Sequence, residues 1–274
     1  MKRRLAGLFA SLTLLATAQT AYSAPGSDLA DQANAGWFAA TAQLISVQPH
    51  AVVKTAGGSA LMVSGFAQPR ANGVFGIASN PDPAQLARFA DELPSFNQPW
   101  VLRVRGDVSA NPVAAAHGLN TVDHRSLTAL PATEYRPLIG SPAGVTVRRV
   151  DGSAASTFLD IAVAATGVPA DSVRNQFIPA VFDSPAASPY LVYVDGKPVA
   201  SALAVRGGNA VITSYLFTLP AYAAHGYNVL AASAALRDAF IHGAKLAVAP
   251  SDPDVQPVLD ALHFRAVDTW TTFS

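Results

Sequence analysis

The sequence contains no cysteine. That absence excludes a thiol nucleophile, a thiolate metal site and disulfide staples, and a chain of 274 residues can bury enough core to fold without them. Glutamate is nearly missing as well. Glu92 and Glu134 are the only two, so carboxylate chemistry beyond residue 134 falls to aspartate. Charged residues make up only 13% and their net charge is zero, which removes bulk electrostatic attraction to nucleic acid or to an anionic membrane. There is no Gly-x-Ser-x-Gly elbow, no His-Glu-x-x-His, no Walker loop and no Gly-x-Gly-x-x-Gly after a strand. His117 and His124 have no matching carboxylate pattern, so no metal site is expected.

Half of the residues are hydrophobic, enough to bury a core and to argue against disorder beyond the termini. Residues 1–24 read as a secretory signal peptide. Lys2-Arg-Arg4 is the basic start, Leu5 to Thr17 the apolar run, and Ala21-Tyr-Ser-Ala24 the small residues for cleavage. The run is too short to span a bilayer comfortably. The expectation is export to the periplasm or the medium, with no membrane attachment after cleavage.

From residue 25 the chain divides into 25–135, a linker at 136–143 marked by Pro137, Gly140 and Pro142, and 144–274. The first part reads as a helix at 34–47, strands at 60–66 and 73–78, and a helix after Asp82-Pro83 with Leu86, Phe89, Ala90 and Leu93 on one face. A strand at 99–104, a short helix capped by Asn111 and a strand at 120–130 follow. The second part reads as a strand at 144–150, helices at 153–166 and 170–182, and a loop at 183–189. Strands at 190–194, 199–205 and 210–217 come next, the first two joined by the hairpin signal Asp195-Gly196. After a loop at 218–226 come a helix at 227–242, a strand at 244–249, a helix at 254–262 and a strand at 264–273. Both parts end alike, with Trp100–Val104 answering to Lys245–Ala249 and His117–Leu119 to Leu262–Phe264. That points to an internal repeat.

The run of three antiparallel strands, glycine-bearing loop, helix, strand, helix and strand resembles the GNAT acetyltransferase family. The matching residues are Asp195-Gly-Lys-Pro-Val-Ala200, Thr218-Leu-Pro220, Gly226, Gly243-Ala244, Pro257-Val258 and Leu262-His-Phe-Arg265, where the family usually has Leu-Gly-Phe-Arg. The resemblance implies an α/β fold of two tandem GNAT-like halves, each a mixed, mostly antiparallel sheet flanked by helices, with the first half degenerate. It implies acetyl-CoA as cosubstrate and a small-molecule or peptide amine as acceptor. By the same resemblance Leu216, Phe217, Thr218, His225, Gly226, Tyr227, Asn228 and Val229 would bind the cofactor. The central strand would offer its backbone to the pantetheine arm, and the following helix N-terminus its N–H groups to the pyrophosphate.

The chain departs from the family at three points. Ala223 stands where the loop usually has Arg or Gln, Asn228 where it has a second small residue, and Leu259 where a tyrosine usually protonates the departing thiolate. Ser251, Tyr222 and His263 remain as catalytic candidates, with Asp252 a further polar group after the strand. Each also has a structural reading: Ser251 as a helix cap, Tyr222 as packing, His263 as a turn residue and His225 as an exposed loop residue. Loss of motif residues and an exported address also fit a second role, a catalytically inactive domain that binds a small molecule or a protein partner.

Overall fold

The computed structural model describes residues 28–138 and 140–274. The leader expected at residues 1–24 lies outside them. In chain order the elements are α1 (Leu29–Ile45), β1 (Val52–Ala56), β2 (Ser59–Val63), β3 (Asn72–Gly76), α2 (Pro83–Glu92), β4 (Val101–Arg105), α3 (Pro112–Ala116), β5 (Thr121–Pro131) and β6 (Val145–Arg149). They continue with α4 (Ala155–Thr166), α5 (Ala170–Val173), α6 (Pro179–Phe182), β7 (Ala187–Val194), β8 (Lys197–Gly207), β9 (Ala210–Thr218), α7 (Tyr227–Ile241), β10 (Leu246–Pro250), α8 (Gln256–Ala261) and β11 (Arg265–Phe273).

Local chemistry sets many of the boundaries. Asp82 accepts a hydrogen bond from the Ala84 N–H at the start of α2, and Pro83 takes the first helical position, where its missing N–H costs nothing. Asn111 caps α3 in the same way, accepting from Val113 and Ala114. Asp195 and Gly196 both have positive φ, as the tight turn between β7 and β8 requires. The helix expected at 170–182 is broken into α5, a 3-10 turn at Arg174–Gln176, and α6. Pro179 holds Ile178 extended, because a residue before proline is pushed out of the helical region. Strand β1 is not foreshadowed by alternation, since it lies on the sheet edge with four of its five residues exposed. Strand β7 begins at Ala187, inside the stretch that reads as a loop, because Ala187 to Pro189 pair with Val205 to Leu203 of β8.

Among the described residues the eleven strands form one sheet, in the order β1-β2-β3-β4-β11-β5-β10-β9-β8-β7-β6. Two neighbours are parallel, β3 with β4 and β9 with β10. The series β3-α2-β4-α3-β5 and β9-α7-β10-α8-β11 repeat the same order of elements and pairing senses. The last strands are exchanged between the two series. β5 does not return to β4 but pairs antiparallel with β10, and β11 pairs antiparallel with β4. β5 and β11 then pair with each other and join the two parts of the sheet.

Helix α1 lies over this junction. Asp28 caps it, and its backbone comes so close to the sheet that glycine is needed on both sides. A Cβ on Gly36 would stand 2.4 Å from the Ala210 Cβ, and one on Gly207 would stand 2.3 Å from the Ala39 carbonyl carbon. From this contact Trp37 reaches Trp270 on β11, with ring centroids 4.8 Å apart, and Phe75 on β3 at 5.8 Å. Asn34 accepts from the Trp270 indole N–H at 2.7 Å and donates to Asp268 at 2.7 Å. Asp268 in turn accepts from Arg105 at 2.6 Å.

The guanidinium of Arg103 sits among the rings of Trp37, Phe75 and Trp270, 4.8–5.4 Å from their centroids. Its Nε has no hydrogen-bond partner. Burial lowers its pKa to about 10, so it is still charged at neutral pH, and the ring faces offset part of the desolvation cost.

Trp270 touches α1 and β4 and pairs with β5. Trp270→Ala should therefore cost about 3–5 kcal/mol, read as a lowered denaturant midpoint. The loss should register in one cooperative transition rather than in a separate unfolding of one half.

Candidate functional site

The site begins where two parallel strands part. β9 pairs with β10 only from Ala210 to Ile212, opposite Leu246 to Val248. Beyond that point β9 keeps β8 on its other side up to Thr218. The opening is a cleft of about 970 Å³ lined by Thr213 to Thr218 of β9, the start of α7, the end of α4, and the segment from Ala249 to Leu259 around α8.

A bulge shapes the β9 wall. Ser201 stands opposite Phe217 and Leu203 opposite Ser214, so Tyr215 and Leu216 share the single partner Ala202. Tyr215 has a φ of 53°, and the buried Ser201 hydroxyl donates to its carbonyl at 2.8 Å. The Tyr215 ring packs on Phe177 at 4.7 Å, and its hydroxyl donates to the Gln176 carbonyl at 2.9 Å. Burial raises the Tyr215 pKa. This phenol is committed to packing rather than to proton transfer.

Of the residues named for the cofactor, Leu216, Phe217, Thr218, Gly226, Asn228 and Val229 line the cleft. His225 and Tyr227 are not among the lining residues. The His225 ring is stacked on Tyr227, 5.3 Å between centroids, and Tyr227 is buried in the core beneath α7. Gly226 takes a left-handed φ of 68° at the start of α7. A Cβ there would meet nothing within 4 Å, so the helix end faces open space. Asn228 turns its carboxamide oxygen to the Val229 N–H at 3.0 Å. The Thr218 hydroxyl is buried with no partner.

The catalytic candidates stand elsewhere. Ser251 follows β10, donates its hydroxyl to Gln256 and gives its N–H to the Ser126 carbonyl of β5. Tyr222 packs on the core beside Tyr227, 6.1 Å between rings. His263 is exposed in the turn before β11, with a left-handed φ of 64°. None of the three lines the cleft. Leu259 does, and it is 1% exposed. The cleft also takes in Thr213, Ser214, Asp252 and Asp254. Thr213-Ser214 interrupts the apolar run of β9 where that strand leaves β10, and this polar break is the signal that could have marked them. Among the described residues no cluster of His, Cys, Asp and Glu could hold a metal.

Tyr215 tests the bulge. Its raised pKa means that ionisation is disfavoured in the fold, so its contribution to stability is whole below the ordinary tyrosine value of about 10. It fades as pH rises from there toward the folded value. Tyr215→Phe should cost about 1 kcal/mol at neutral pH and flatten part of the alkaline decline. Denaturant unfolding at pH 7 and above pH 10 checks both effects.

Residues 140–246 match the family described as the acetyltransferase (GNAT) domain. No curated protein matches the sequence. Among solved structures, a GCN5-related N-acetyltransferase from Kribbella flavida superposes with a TM-score of 0.67 at 19% identity, covering 89% of this chain and 95% of that one. A GCN5-related N-acetyltransferase from Sphaerobacter thermophilus gives 0.53 at 11% identity, over 89% and 92%. A tandem GNAT protein from the clavulanic acid biosynthesis pathway gives 0.52 at 16%, over 82% and 83%. At such identities the likeness is one of fold. The parted strands, the bulge and the glycine at the helix start thus lie in a chain with the GNAT fold, whose residues 140–246 match the acetyltransferase (GNAT) domain.

Proposed function

We propose that the protein transfers acetyl from acetyl-CoA to an amine acceptor, a small molecule or a peptide. The observation that carries this reading is the parting of β9 from β10 beside the N-terminus of α7. Past Ile212 the cleft-side edge of β9 is not paired with β10, so its backbone groups are available to an extended ligand arm. The Thr218 hydroxyl is buried there without a partner. At Gly226 the missing Cβ leaves room for a phosphate beside the first-turn N–H groups. These features fit the cosubstrate through backbone groups, since among the described residues no Lys, Arg or His lines the cleft.

Leu216, Phe217 and Thr218 would hold the arm. Gly226, Asn228 and Val229 would hold the phosphates, with His225 and Tyr227 on the adjoining loop. When bound, acetyl-CoA supplies the acetyl group as an activated thioester. The backbone N–H near Phe217 would polarise its carbonyl, and the cleft would hold the acceptor nitrogen against it. Leu259 has no proton to give. Protonation of the departing thiolate would fall to water, since Ser251, Tyr222 and His263 do not line the cleft.

The burial of Leu259 in the cleft wall favours a second reading: a GNAT-like domain that has lost catalysis and binds a small molecule or a protein partner. The expected leader would export the chain to where acetyl-CoA is scarce, which supports the same reading.

A thermal-shift titration of the protein from Pro25 onward separates the two. Transfer activity requires a saturable rise with acetyl-CoA and CoA, equivalent to about 2.7 kcal/mol at a hundredfold excess over Kd. Gly226→Trp should remove the rise, and the left-handed φ of 68° should lower the unliganded transition by about 1–2 kcal/mol as well. A flat response at millimolar acetyl-CoA would leave the non-catalytic reading standing.

A further inference from the structure

A buried cation is ordinarily paired, because an uncompensated charge away from water is costly. Arg103 departs from that rule. It is 9% exposed, it keeps its charge at neutral pH, and its Nε donates to no protein atom. The ring faces of Trp37, Phe75 and Trp270 offset part of the charge, but they bring no carboxylate. The carboxylate that acts on Arg103 is Asp123, and it is already engaged by Arg70 and, at 3.0 Å, by Arg125. Arg125 also holds Asp252. Three guanidiniums thus share two carboxylates, and one positive charge is left over. Arg105 cannot release another carboxylate, since it holds both Asp31 and Asp268.

Arg103 lines the small cavity that remains where α1 plugs the first half, together with Asn34, Trp37, Phe75, Gly76 and Trp270. The other polar side chains in that wall are committed. The Asn34 oxygen accepts from the Trp270 indole, and its nitrogen donates to the Ala30 carbonyl and to Asp268. The guanidinium is therefore the side-chain donor left for an occupant. The volume of about 10 Å³ admits one body near the size of a water. Carboxylates, phosphates and sulfate are too large.

We propose that this cavity is a site for a single halide ion of the chloride class, bound to the Arg103 guanidinium and holding α1 against the sheet. The ion supplies the negative charge that the surrounding residues lack, and it accepts charge-assisted hydrogen bonds from the guanidinium. The site shares no lining residue with the large cleft, and it stands or falls independently of acetyl transfer.

The test is thermal unfolding of the full protein in sodium chloride against sodium gluconate at equal ionic strength. An ion that binds only the folded state stabilises it by mass action. Above its Kd, each tenfold rise in chloride should lift the midpoint by about 3–5 °C. Bromide should act like chloride, and gluconate and sulfate should not. Arg103→Met should abolish the difference between chloride and gluconate, and Arg103→Lys, which keeps the charge, should retain part of it. Equal midpoints in the two salts would overturn the proposal and leave the cavity to water. A chloride effect that persists undiminished in Arg103→Met would overturn it as well. If Arg103→Met does not fold, the wild type decides: crystals grown in bromide should show an anomalous peak within hydrogen-bond distance of the Arg103 guanidinium, and a map with no peak there sinks the site.

Discussion

Backbone pairing across the junction of the two halves is the constraint on which the rest of the molecule depends. A buried strand must satisfy its N–H and C=O groups on both edges. Here neither β4 nor β10 finds its second partner in its own half: β11 completes one and β5 the other. The two half-sheets therefore cannot be separated without opening both. The wall of the cleft is built on this exchange. The Thr128 hydroxyl on β5 donates to the Ala249 carbonyl at 2.8 Å, just where β10 approaches the site. Asp252 and Ser251 are tied to the same strand.

The halves repeat an order of elements, yet corresponding places in them have different contents. In the second half the chain beyond Ile212 and Val248 opens into the cleft. In the first, the corresponding point beyond Phe75 and Arg103 is filled by Trp37, Trp270 and the Arg103 guanidinium. What is left beside Gly76 and Ile77 is a cavity of about 10 Å³, roughly the room for one water. Helix α1 supplies the plug. It can lie low enough to do so because Gly36 and Gly207 carry no side chains where they meet the sheet and the helix.

Much of the fold was legible because its signals are local. Asp82-Pro83, Asn111-Pro112 and Asp195-Gly196 act within a few residues of themselves, and the elements they bound fall where periodicity puts them. The strand exchange is not local. The pattern of Thr121–Pro131 tells that it is a strand, but nothing in it selects β10 over β4. β1 escaped because an exposed edge strand needs no alternation. At the site, the loop before α7 was readable through Gly226 and the Thr218-Leu-Pro220 run. The bulge at Tyr215 was not, since it depends on Ser201 reaching across from the neighbouring strand. His225 and Tyr227 were named from their place in the loop, and their stacking on each other is a packing outcome that spacing alone does not encode. Asp254 passed unremarked because it read as the first residue of the helix expected at 254–262, whereas α8 begins at Gln256.

The position of β11 also bears on the order in which the chain can assemble. Leu102 pairs with Phe273, far beyond it along the chain. During synthesis the first half emerges with β4 lacking one neighbour, and it keeps that open edge until β11 has been made. Contacts so distant in sequence are slow to form, and an uncovered strand edge is a template for unwanted pairing. The sheet can therefore close only when β11 takes its place between β4 and β5.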